Sequence, residues 1–127
     1  MEKTKTSGKV TFQDKSVYIG ELENEIPNGY GVWTHPNGEE YKGQWADGKE
    51  NGSGIYSYPD GGEFSGNFVD GLREGSGIWS HPDGSKYHGS WSKGKFHGKG
   101  IFIWTDQKKY DGDWRNGVQE GIGKTNY

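Results

Sequence analysis

Apolar and polar positions alternate with period two over short stretches of this chain. In residues 41–63, YKGQWADGKENGSGIYSYPDGGE, the first segment sets Tyr41, Gly43 and Trp45 on one face and Lys42 and Gln44 on the other. That alternation predicts a β-strand. Residues 46–51 follow as a loop in which Asp47-Gly48 and Asn51-Gly52 are turn dipeptides. Alternation resumes at Gly54-Ile55-Tyr56-Ser57-Tyr58, and Pro59-Asp60-Gly61 closes the unit with a tight turn. The unit is a predicted β-hairpin. No segment has the periodicity of an amphipathic helix.

The pattern recurs every 23 residues: Tyr18, Tyr41, Phe64, Tyr87 and Tyr110 keep step with Gly20, Gly43, Gly66, Gly89 and Gly112. Leu22, Trp45, Phe68, Trp91 and Trp114 hold the next apolar place, and a glycine pair such as Gly52 and Gly54 follows in each unit. Self-similarity at a fixed period marks a repeat array. The predicted fold is all-β: an elongated, single-layer, twisted antiparallel meander of 23-residue hairpins. Residues 1–7 form a tail, residues 8–17 a half-unit, and full units start at 18, 41, 64, 87 and 110.

A register can be written from the alternation. It pairs Tyr41 with Tyr58, Gly43 with Tyr56 and Trp45 with Gly54, then Tyr58 with Phe64, Tyr56 with Gly66 and Gly54 with Phe68. Two rows across the strands then alternate a glycine with a ring, so that each ring lies over bare backbone. A third row has no glycine and includes His35, Tyr41, Tyr58, Phe64, His81, Tyr87, Trp104 and Tyr110. The opposite face is polar apart from an aliphatic row of Val32, Ile55, Ile78 and Ile101.

Composition fits a thin structure. Only 28% of residues are hydrophobic, against 24 glycines, yet aromatics reach 15%, too many for a disordered chain. There is no cysteine, and hence no disulfide framework or thiol chemistry. The opening MEKTKTSGKV has no hydrophobic run, and the expectation is a cytoplasmic protein. Charge is unevenly spread. Residues 19–85 hold twelve acids and three bases, whereas residues 86–127 hold eight bases and four acids. Two chains running antiparallel would match these halves, so a weak homodimer or a place in a larger assembly is expected.

No catalytic constellation is present. Gly121-Ile122-Gly123-Lys124-Thr125 looks like the end of a phosphate loop, but Val118 stands where its first glycine belongs. Asp111-Gly112-Asp113 fails as a calcium loop, because Arg115 and Asn116 take the places of an oxygen ligand and a glycine. His35 and His81 hold equivalent places two units apart, on the order of 19 Å, too far to share a metal. No enzyme activity, cofactor, metal or nucleic-acid partner is expected.

The core of each unit, as in Tyr41-Lys42-Gly43-Gln44-Trp45-Ala46-Asp47-Gly48-Lys49-Glu50-Asn51-Gly52-Ser53-Gly54, resembles the MORN repeat (membrane occupation and recognition nexus). The resemblance covers residues 8–127. Unit one departs from it at Leu22, which replaces a ring, and at Glu25, which replaces the loop glycine. The resemblance implies a scaffold or adaptor that binds protein along its aromatic face. Family members occur in cilia, flagella and cytoskeletal assemblies, at membrane junctions and beside enzyme domains. The expected contact surface for a peptide, helix or neighbouring subunit is the glycine-free row: His35, Tyr41, Tyr58, Phe64, His81, Tyr87, Trp104 and Tyr110. The alternative is phosphoinositide or membrane-surface binding, or a targeting module of a larger enzyme complex. Membrane lipid is disfavoured, because the basic residues are spread over two units rather than clustered.

Overall fold

The computed structural model describes the backbone of residues 5–126 and the side chains of residues 5–119. Tail residues 1–4 and Tyr127, the expected end of the final strand, lie outside the described residues. The strands are β1 (Lys5–Thr11), β2 (Val17–Glu23), β3 (Ile26–Thr34), β4 (Glu40–Ala46), β5 (Lys49–Ser57), β6 (Glu63–Val69), β7 (Leu72–Ser80), β8 (Lys86–Ser92), β9 (Lys95–Ile103), β10 (Lys109–Arg115) and β11 (Val118–Asn126). They form one open antiparallel sheet in chain order, with no helix among the described residues. The all-β meander of hairpin repeats is therefore the observed fold. Residues 5–7 pair with β2 and belong to the sheet rather than to a tail.

Two kinds of turn build the sheet. Within a hairpin the chain reverses through two residues that both have positive φ, as at Asp47 (50°) and Gly48 (83°). This type I′ turn matches the twist of the flanking strands. It is tighter than the six-residue loop predicted at 46–51, and β5 begins at once with Lys49. Between hairpins, Gly61 N–H bonds to the Tyr58 carbonyl and Tyr58 N–H bonds to the Gly62 carbonyl. Gly61, at φ 92°, completes a three-residue turn with a bulge.

These turns move the register two residues from the expected one. Tyr41 faces Tyr56 rather than Tyr58, and Gly43 faces Gly54 rather than Tyr56. Tyr56 faces Phe64, and Gly54 faces Gly66. The ring–glycine alternation across strands is therefore replaced by a row of rings beside a row of glycines. A shift between Gly43 and Trp45 then sets Trp45 opposite Glu50 and leaves Gln44 unpaired on β5.

The glycine row makes the core. Tyr18, Tyr41, Phe64 and Tyr87 are fully buried, although no second layer among the described residues covers them. Each ring leans along its own strand over the neighbouring glycines. A Cβ on Gly54 would lie 2.5 Å from the Tyr41 ring, and one on Gly77 2.5 Å from the Phe64 ring. Trp45, Phe68, Trp91 and Trp114 meet these rings edge-on. The contacts run unbroken from Tyr18 through Trp45, Tyr41, Phe68, Phe64, Trp91, Tyr87 and Trp114 to Tyr110, with centroids 4.8–5.6 Å apart. Edge-to-face pairs of this kind add to the gain from burial alone.

The polar atoms of these rings are satisfied. Tyr41 hydroxyl donates to the carbonyl of Gln44 at 2.8 Å, and Tyr87 hydroxyl to that of Ser90 at 2.7 Å. Trp45, Trp91 and Trp114 donate their indole N–H to the carbonyls of Gly31, Gly77 and Gly100.

Gly66→Val tests the close approach. Its Cβ would lie 2.7 Å from the Cα of Gly77 and 2.8 Å from the Phe64 ring. The expected loss is about 1–3 kcal/mol in urea melts, the usual cost of overpacking. Ser65→Val, one residue away on the exposed face, should change stability by less than about 0.5 kcal/mol.

Core tyrosines also predict an alkaline transition. Burial raises Tyr18 and Tyr87 to about 12, and moves Tyr41 upward as well. Tyrosines of the unfolded chain ionise near ~10. The folded state holds these protons more tightly, so the stability they contribute is intact below about pH 10 and falls as pH rises toward about 12. Circular-dichroism melts should show a midpoint level from about pH 7 to 9 and falling above ~10.

Candidate functional site

A second set of rings shares the core face and stays half-buried. Trp33, Tyr56, Trp79 and Phe102 stand opposite the core rings of the neighbouring strands, one per unit. Beside each, the first residue of the inter-hairpin turn adds a second ring. The pairs are Trp33–His35, Tyr56–Tyr58, Trp79–His81 and Phe102–Trp104, at 5.7, 5.0, 6.1 and 4.9 Å. The face therefore carries a ladder of ring pairs, one rung per repeat.

Burial divides the eight residues expected to form the contact surface. His35, Tyr58, His81 and Trp104 are half-buried and line the ladder. Tyr41, Phe64, Tyr87 and Tyr110 do not belong to an exposed surface. They are 0–3% accessible, because the glycine row lets them lie flat inside the sheet. The ladder rings outside the expected set are Trp33, Tyr56, Trp79 and Phe102. The register that pairs them with glycines hides them, and the turn types, legible in Asp47-Gly48 and Pro59-Asp60-Gly61, are the signal that reveals them.

Two shallow grooves meet at the centre of this face. One is lined by Glu39, Tyr58, Asp60, Arg73 and Trp79, the other by Arg73, Trp79, Trp91, Lys95 and Phe96. Arg73 and Trp79 line both. The Arg73 guanidinium donates to Tyr58 Oη at 2.8 Å and lies over the rings of Phe64 and Trp91, at 5.8 and 5.1 Å. Such a cation rests on an aromatic surface with donors to spare.

The carboxylates at the unit-two end are held by local donors. Tyr56 hydroxyl donates to Glu39 at 2.5 Å, and the Asn37 amide donates to the same carboxylate. These hydrogen bonds keep the Glu39 carboxyl below its ordinary range, while burial and then Glu39 itself push the Tyr56 hydroxyl up. Asp60 accepts the Gly62 N–H and sits 3.2 Å from His81 Nε2, and both contacts lower its carboxyl. His81 Nδ1 lies 3.2 Å from Asp83, so its ring bridges two turns. Glu50 differs, for burial raises its carboxyl. The geometry offers rings, isolated charges and free donors. Hydroxyl–carboxylate contacts occur in the turns, where Ser16 and Ser85 donate to Asp14 and Asp83 at 2.5 and 2.6 Å.

Five consecutive stretches of the chain, residues 18–40, 41–63, 64–86, 87–109 and 110–127, match the MORN repeat. No curated protein matches the chain significantly.

Truncation separates the two ring sets. Tyr41→Ala and Tyr87→Ala open cavities in the core and should cost about 3–5 kcal/mol in urea denaturation. Trp104→Ala, on the half-buried ladder, should cost less than ~2 kcal/mol, since only part of its surface is withdrawn from water.

Proposed function

This chain belongs to the MORN-repeat family and is made almost entirely of the repeats, and from that premise we propose that it is a non-enzymatic scaffold holding a protein segment along its ladder of half-buried rings. MORN repeats mediate protein or membrane interactions. The observation that carries the protein reading is the ladder itself. Trp33, Tyr56, Trp79 and Phe102 form a half-buried row, one ring per unit, on a sheet without a second layer among the described residues. Large exposed apolar strips on soluble chains mark interaction sites. Tyrosine and tryptophan make good anchors, bringing large area at low entropic cost. Extended or helical peptides bind sheets and grooves by laying side chains into such rows.

Charge favours a protein over an anionic membrane. Glu39, Glu50 and Asp60 share the ring face with Arg73 and Lys95, so the ladder is of mixed sign rather than basic. A lipid headgroup surface would be recruited by clustered basic residues.

Photo-crosslinking in the native cell tests this reading. A crosslinking residue at Trp79 or Phe102 should capture protein, and the same residue at Ile55 or Ile78 on the opposite face should not. For the partner so identified, Trp79→Ala and Tyr58→Ala should weaken binding by about 1–2 kcal/mol or more. Capture from the opposite face alone, or sedimentation with anionic vesicles at physiological salt without protein capture, would overturn it.

A further inference from the structure

One position of the repeat changes chemical class from unit to unit while its place in the sheet stays the same. Pro27, Glu50, Arg73, Phe96 and Gln119 pair with Leu22, Trp45, Phe68, Trp91 and Trp114. This pairing sets each of them on the ring face. The first four are also pinned by the backbone, since their carbonyls accept the N–H of Gly48, Gly71, Gly94 and Gly117 in the turn of the next unit. The backbone is fixed in the same way while the side chain varies.

The three central members offer an acid, a base and a ring. Glu50 is half-buried and forms no ion pair among the described residues. Its neighbour Glu39 is already engaged by Tyr56 and Asn37. Arg73 donates to Tyr58 but meets no carboxylate among the described residues. Phe96 stacks on Tyr87 at 3.9 Å and lines grooves on both its sides. Glu50 without a counter-ion, and Arg73 with rings and a hydroxyl but no carboxylate, each leave an opposite charge for a partner to supply.

We propose that the ring face selects a segment whose acidic side chain, set against Arg73, lies between a basic one set against Glu50 and an apolar one set against Phe96. This rests on the reading of the ring face as the partner surface. Equivalent positions of successive units are two strand spacings apart, roughly 10 Å. An α-helix covers that distance in about seven residues and returns to the same face. A polyproline II segment covers it in one turn of about three residues. A β-strand of about three residues would turn alternate side chains away. The segment can run in either direction, so its sequence reads basic, acidic, apolar or the reverse.

Selection from a phage library of random peptides of about 25 residues, on the folded 127-residue chain, tests the proposal. Peptides enriched through the ring face, those whose binding is lost in Trp79→Ala, should carry the acidic residue between a basic and an apolar one, at intervals of about seven or three. Their affinity should fall about tenfold or more in Glu50→Gln and in Arg73→Gln, each checked for an unchanged melting midpoint. The swap E50R/R73E, where it folds, should select the opposite order of charges. Trp79-dependent peptides indifferent to both glutamine variants would overturn the charge order while leaving the ring face as a partner surface. If no enriched peptide depends on Trp79, both readings fall.

Discussion

A Cβ placed on Gly54 would stand 2.5 Å from the ring of Tyr41 and closer still to its hydroxyl. No side chain fits in that space, and the same approach recurs from Tyr18 over Gly31 to Tyr87 over Gly100. The glycine row is the condition for burial in a structure one sheet thick. Because the backbone is bare there, each ring lies flat inside its own layer, and each core tyrosine sets its hydroxyl on a carbonyl three residues along. The tryptophans or phenylalanines of adjacent units then close over it edge-on. Aromatic area replaces the aliphatic core of an ordinary domain, which accounts for a chain that is 28% hydrophobic forming an ordered sheet. The entropic cost of fixing so many glycines is offset by rings that each bury about 150–250 Å².

Burying the first two apolar residues of each unit leaves the later rings on its surface. Trp33, Tyr56, Trp79 and Phe102 have no glycine to lie on and stay half-exposed, paired with the turn residues His35, Tyr58, His81 and Trp104. Burial and exposure thus fall on different residues of the same face. Pro27, Glu50, Arg73 and Phe96 can differ in class because turn hydrogen bonds hold their backbone whatever their side chain. The side chain at this place can therefore change class while the hairpin keeps its hydrogen bonds.

The strands, their number and the two faces were legible in the sequence, because a period of two inside a period of 23 leaves little freedom. The register was not. A shift of two residues keeps every side chain on its face, so alternation alone cannot detect it. The turns decide it, through the two-residue reversal at Asp47-Gly48 and the bulged reversal at Gly61, which move Tyr58 out of the strand and into the turn. The difference carries into the site. A register that sets Tyr56 against a glycine places it among the packed rings, and one that sets Tyr41 against Tyr58 places Tyr41 on the open surface. Arg73 and Phe96 are hidden for another reason: they occupy a loop in the predicted hairpin and a strand in the observed one.

Ring-current shifts of the glycine Hα protons measure the ring-over-glycine contact most directly. Protons held against an aromatic ring are displaced upfield from their ordinary values. Gly31, Gly54, Gly77 and Gly100, all within contact of a core ring, should show that displacement. Gly71 and Gly84, around which a Cβ would find nothing within 4 Å, should resonate where a glycine in an open turn does. Ordinary shifts at all four row glycines in the folded protein would contradict the account.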